Sequence, residues 1–81
     1  MEKRVGTVII QINSHEHVAL LNDILSQHAA IILGRQGLPR SNGKSLISLI
    51  LEGTTDQIGS LTGQLGRLGG IQVKSVLLKN I

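Results

Sequence analysis

The sequence has no cysteine, phenylalanine, tyrosine or tryptophan, and only one proline and one methionine. Without cysteine it can build neither disulfide staples nor zinc–thiolate sites, and thiol catalysis is excluded. Without aromatic rings the core must be aliphatic, and the stacking platforms of the common single-strand RNA and DNA readers are missing. Long apolar runs are missing too. The longest, Ala29 to Leu33, is far below the roughly 20 residues that span a bilayer, so no membrane partner is expected. Met1-Glu2-Lys3-Arg4 runs into alternation instead of an apolar stretch with a cleavage site, so no secretory signal is expected and the cytoplasm is the expected compartment. Charge is sparse: 8 Lys and Arg against 5 Asp and Glu give a net +3, scattered along the chain. That field is weak support for DNA binding, although it favours the approach of an anionic ligand.

What is present is aliphatic. Ile, Leu and Val supply 29 of the 81 residues and only 16% are charged, which excludes disorder. Eighty-one residues allow one small domain, taken here as residues 1–81. A chain of this size buries only about 60% of its unfolded surface, so a lone monomer is marginal.

Val5 to Ile12 is β-branched and apolar and reads as a strand. Asn13 or Ser14 supplies an N-cap, and Asn13 with Glu16 has capping-box spacing. From His15 to about His28 the pattern is helical, with His17, Leu21, Ile24 and His28 on one face flanked by Leu20 and Leu25. Strand character resumes over Ala29 to Gln36, and Gly37 to Lys44 reads as a hairpin loop. Ser45 to Glu52 is a third strand. Thr54 or Thr55 caps a second helix with Asp56 in its first turn and Ile58, Leu61, Leu65 and Leu68 in one stripe. Gly69-Gly70 ends that helix, and Ile71 to Leu78 forms the last strand. The economical solution is an α+β, ferredoxin-like βαββαβ sandwich: a four-stranded antiparallel sheet with two helices on one face.

In such a fold one sheet face meets water, yet the strands are greasy on both parities. Leu46 and Ile50 oppose Ile47, Leu49 and Leu51; Val5 and Ile9 oppose Val8, Ile10 and Ile12; Val76 and Leu78 oppose Ile71, Val73 and Leu77. Two helices cover only one face, so the other is expected to be an association surface. Gly59, Gly63 and Gly66 line the side of the second helix turned about 150° from its apolar stripe. Three such glycines forgo roughly 3 kcal/mol of helix stability. Together these predict a homodimer or homotetramer, with Gly59, Gly63, Gly66, Ile47 and Leu49 as candidates for close approach.

Gly43-Lys44-Ser45 fails as a phosphate loop, because Leu38 stands where that motif needs glycine and a strand follows instead of a helix. Gly34 to Gly37 matches the nucleic-acid GXXG loop in letters only, since it leaves a strand. His15 and His17 diverge by about 200° around a helix, and His17 and His28 are three turns apart, so no metal site within one chain is assigned. A site shared between subunits stays open, and no cofactor is named. Neither a Ser, His and Asp arrangement nor paired carboxylates stands out, and no nucleophile with a base is evident, so the chain is read as a non-enzyme. The stretch after the first strand, with Asn13, Ser14, His15 and His17, is the candidate ligand site, where helix-start amides can hold an anion or a metabolite carboxylate.

Thr55-Asp56-Gln57-Ile58-Gly59, Leu61, Gly63, Leu65-Gly66, then Gly70-Ile71, Val73-Lys74 and Val76 form a distinctive run. With Glu2-Lys3-Arg4 leading into a β-branched strand and the Gly34 to Pro39 stretch, it resembles the family of iron-only hydrogenase system regulators over nearly the whole chain. More distantly the plan is similar to amino-acid-binding ACT domains and to the effector domain of nickel-responsive repressors, modules that oligomerise and sense small ligands at subunit interfaces. The chain departs from both. Where ACT domains usually carry a glycine after the first strand it reads Asn13-Ser14-His15-Glu16-His17, and it lacks the cysteine and strand histidines of the nickel proteins. The resemblance implies a regulatory, ligand-sensing homo-oligomer whose partners are a small metabolite or a hydrogenase-system protein. The alternative is a nucleic-acid-binding regulator using Arg35, Arg40 and Lys44 on the hairpin; nucleic acid is the less expected partner.

Overall fold

The computed structural model describes residues 2–79. Strand β1 (Arg4–Ile12) is followed by a 3-10 turn (His15–His17), α1 (Val18–Gln27), a second 3-10 turn (Ala29–Ile31) and β2 (Ile32–Pro39). Then come β3 (Ser45–Gly53), α2 (Thr55–Gly66) and β4 (Ile71–Leu77). The order is the one expected from the sequence, and so is the α+β ferredoxin-like architecture. The sheet runs β2-β3-β1-β4 with every neighbouring pair antiparallel. Each helix therefore crosses between two parallel strands that have one strand between them.

One strand parity is buried beneath both helices. Val8, Ile10 and Ile12 of β1 and Ile47, Leu49 and Leu51 of β3 close against Leu21 and Leu25 of α1, Ile31, and Ile58, Leu61 and Leu65 of α2. No polar side chain is buried among the described residues, so the core is held by apolar burial alone. Thr54 caps α2 with a complete capping box: its hydroxyl accepts from Gln57 N at 3.1 Å, and its amide donates to Gln57 Oε1 at 2.9 Å.

Three boundaries differ from the sequence reading. Ser14 is the residue whose side chain accepts the Glu16 amide, at 3.3 Å, while Asn13 Oδ1 accepts from Gln11 Nε2 at 2.8 Å. The Asn13–Glu16 box does not form, and the first turn tightens to 3-10 before α1 begins at Val18. Ala29–Ile31 is likewise a 3-10 turn, and β2 starts with a bulge between Ile32 and Gly34 that leaves Leu33 as the extra residue. Finally, Gly37, Leu38 and Pro39 continue β2, so the hairpin loop shrinks. Pro39 is tolerated because β2 is an edge strand, bonded on one side only. The turn closes through Gly43 N to Arg40 O at 3.1 Å and Arg40 N to Lys44 O at 2.9 Å, with Gly43 at φ 81°.

Two glycines make opposite predictions. Gly70 sits at φ 77°, and a Cβ there would lie 2.7 Å from Ser14 Cβ. Gly70→Ala should lower the unfolding free energy in urea by about 2 kcal/mol or more. A Cβ on Gly63 meets nothing within 4 Å, so Gly63→Ala should raise it by up to about 1 kcal/mol.

Candidate functional site

The residues after β1 are drawn against the turn between α2 and β4. Both Asn13 N and Ser14 N donate to Gly70 O, at 2.8 and 3.2 Å. His17 Nδ1 lies 3.1 Å from Gly69 O, and because a carbonyl only accepts, the ring proton must be on Nδ1. Asn13, Ser14 and His17 are thus gathered in one place, with exposed His15 beside them in the 3-10 turn. This changes the chemistry expected of the loop. Two of the amides that could have held an anion, those of Asn13 and Ser14, already donate to Gly70 O.

A second cluster, invisible to the sequence reading, joins the two helices. His28 Nδ1 is 2.7 Å from Ile24 O, which fixes the proton on that nitrogen and leaves Nε2 as the acceptor. The Ser60 hydroxyl lies 3.1 Å from Nε2 and donates to it, while Gln64 Nε2 donates to Ser60 Oγ at 3.0 Å. The result is a directed chain from Gln64 through Ser60 and His28 to a backbone carbonyl. It borders an open cleft of about 350 Å³ lined by Gln27, Ala30, Ile31, Asp56 and Gln57. Ser60 is 32 residues from His28 in sequence, so periodicity gives no hint of the pair. It links the end of α1 to α2.

The sheet face away from the helices is open. Ile9, Leu38, Ile50, Val76 and Leu78 lie on it, each between 46% and 65% exposed. Ile47 and Leu49, expected at the contact with another copy, are instead in the core at 6% and 0% exposure. The reason is parity. Ile47, Leu49 and Leu51 form the richer apolar row of β3, and that row goes under the helices. The outward row is Leu46, Ser48, Ile50 and Glu52. Gly59, Gly63 and Gly66 do lie on exposed helix surface, where added Cβ atoms would meet nothing within 4 Å.

The basic residues of the hairpin are not brought together. Arg40 and Lys44 sit at the tip, but Arg35 reaches from the inner parity of β2 to Asn22 Oδ1 of α1 at 3.2 Å. Among the described residues no group of three His, Cys, Asp or Glu is placed to hold a metal ion. No helix among them is long and apolar enough to cross a membrane.

Comparison with known proteins adds the family. Residues 4–75 match the TM1266-like family, described as "Iron-only hydrogenase system regulator, putative". The chain belongs to this family. TM1266 itself, from Thermotoga maritima, is 34% identical over 96% of this chain and 100% of that one, with a TM-score of 0.90. Outside the TM1266-like family the similarity is one of fold. The ACT domain of a GTP pyrophosphokinase from Chlorobium tepidum is 16% identical over 100% of this chain and 92% of that one, with a TM-score of 0.68. CPII, a nitrogen regulatory PII-like protein from Thiomonas intermedia K12 bound to ADP, AMP and bicarbonate, is 14% identical over 98% and 100% of the two chains, with a TM-score of 0.52. No curated protein matches the chain.

If the His28–Ser60 bond pins the helices, Ser60→Ala and His28→Ala should each lower stability by about 1 kcal/mol. The double variant should lose less than their sum in a chemical-denaturation cycle, since both single changes remove one interaction.

Proposed function

We propose that this member of the TM1266-like family is a non-enzymatic regulatory module that self-associates and responds to a small ligand held at the turn after β1. The open aliphatic sheet face carries this reading. Ile9, Leu38, Ile50, Val76 and Leu78 stand exposed on it, and clustered exposed aliphatic side chains mark interaction surfaces. The dimensions agree: the accessible surface is 5172 Å², against about 4,700 Å² for a typical monomer of this mass. The radius of gyration of 12.5 Å also exceeds the roughly 11.7 Å of a typical 81-residue globule. The chain is a two-layer slab, and a second copy on the open face would add a third layer.

In this reading the ligand contacts Ser14, His15 and His17. Their position suits regulation, because His17 and the Asn13 and Ser14 amides already grip Gly69 and Gly70, the turn that leads into the edge strand β4. A ligand competing for those groups alters how β4 is held. The family's regulatory description and the small-ligand complexes of the PII-like neighbour are consistent with this role.

Two measurements test it. Sedimentation equilibrium at tens of micromolar should give a dimer or tetramer, and a monomer at all concentrations would end the assembly claim. Thermal-shift screening against amino acids, nucleotides and divalent metals should find a ligand that raises Tm by about 10 °C at a hundredfold excess over Kd. That shift should shrink in Ser14→Ala and His17→Ala. A panel without any shift would end the ligand claim.

A further inference from the structure

The outward face carries two opposite charges at defined register positions. Within the four paired strands only two outward residues are charged: Glu52 on β3 and Lys74 on β4. Both are exposed, and neither makes an ion pair among the described residues. Register fixes their positions relative to β1. Glu52 stands across from Val5 on one side of β1, and Lys74 stands across from Ile9 on the other. The midpoint of the line joining them therefore falls on Thr7, the residue between Val5 and Ile9 on this face. Thr7 is itself flanked by Ile50 on β3 and Val76 on β4. The centre of the face is thus a small side chain ringed by Val5, Ile9, Ile50 and Val76, with opposite charges at two outer corners.

From this we infer that a second copy of the chain covers this face about a two-fold axis through Thr7, setting Lys74 of each copy against Glu52 of the other. The inference rests on the self-association proposed above and specifies its surface. An isologous contact requires that if one residue meets another, the second meets the first, and this axis satisfies both charges at once. With strands 4.8 Å apart and a rise of 3.3 Å per residue, the two charged positions are about 16 Å apart and the strands of the two sheets cross at roughly 70°. That lies near the orthogonal class of sheet packing. The apolar ring falls at the centre and the charges at the rim, the usual anatomy of an interface.

Charge exchange tests the arrangement in the full chain, by sedimentation equilibrium at low ionic strength. Glu52→Lys and Lys74→Glu should each weaken the dimer about tenfold or more, by placing like charges together at two points. Both substitutions are on exposed positions, and circular dichroism checks that each variant is folded. An equimolar mixture of the two single variants should recover dimer, because the heterodimer restores both opposite-charge contacts. The double variant should recover it as well. A wild-type dimer unaffected by either single change would overturn this surface while leaving self-association intact. Loss in both single variants without recovery in the mixture would overturn the pairing of Lys74 with Glu52. A wild-type chain that is monomeric throughout would overturn both this inference and the assembly on which it rests.

Discussion

Everything in this molecule hangs on β1, which is hydrogen-bonded along both edges. Its pairing with β3 and β4 decides which residues are inside. A slip of one residue would turn Val8, Ile10 and Ile12 to water and bring Thr7 and Gln11 into the core. Gly6 helps to fix that register, since a Cβ there would clash with the side chain of Leu77 and lie 2.8 Å from Val76 O. At the same end, Arg4 donates from Nε and Nη2 to Leu78 O at 3.0 and 2.8 Å, and Leu78 N donates to Val5 O at 2.8 Å. No polar side chain is buried among the described residues, so these edge contacts supply directional bonds that the core lacks.

The two βαβ halves are interlocked at opposite ends of the sheet. Beyond the C-terminal end of β1, Gly70 of the second half accepts two amides from the first, and Gly69 accepts from His17. At the other end, His28 of the first half meets Ser60 of the second, and Gly53 lies so close to Ile31 that a Cβ would be 2.9 Å from its Cγ2. The halves therefore cannot shift independently. β1 runs between the two joints.

The fold was legible because it rests on periodicity. Runs of β-branched and other aliphatic residues marked β1, β3 and β4, and the faces His17–Leu21–Ile24–His28 and Ile58–Leu61–Leu65–Leu68 marked the helices. Less legible was anything that depends on tertiary choice. Both parities of β3 are aliphatic, so Ile47 and Leu49 could be assigned outward although Leu51, a third aliphatic residue in their row, favours the core. Gly37, Leu38 and Pro39 read as a loop by local propensity, yet edge pairing keeps them in β2. The loop Asn13–His17 was recognisable as a distinctive stretch, but its attachment to Gly69 and Gly70 lies more than fifty residues away in the chain. His28 and Ser60 were separated in the same way, and neither residue alone carries a signal.

The two edges of the sheet are not equivalent. On β2 a bulge at Leu33 and a proline at position 39 disrupt the regular ladder that an incoming strand would need. On β4 the seven residues run without proline or bulge. In the language of polymer chemistry the monomer has one reactive end and one capped end. Sheet extension through β4 stops after a single addition, because the product presents only the capped β2 edges. Propagation into a cross-β fibre requires two usable edges per unit, and this fold offers one.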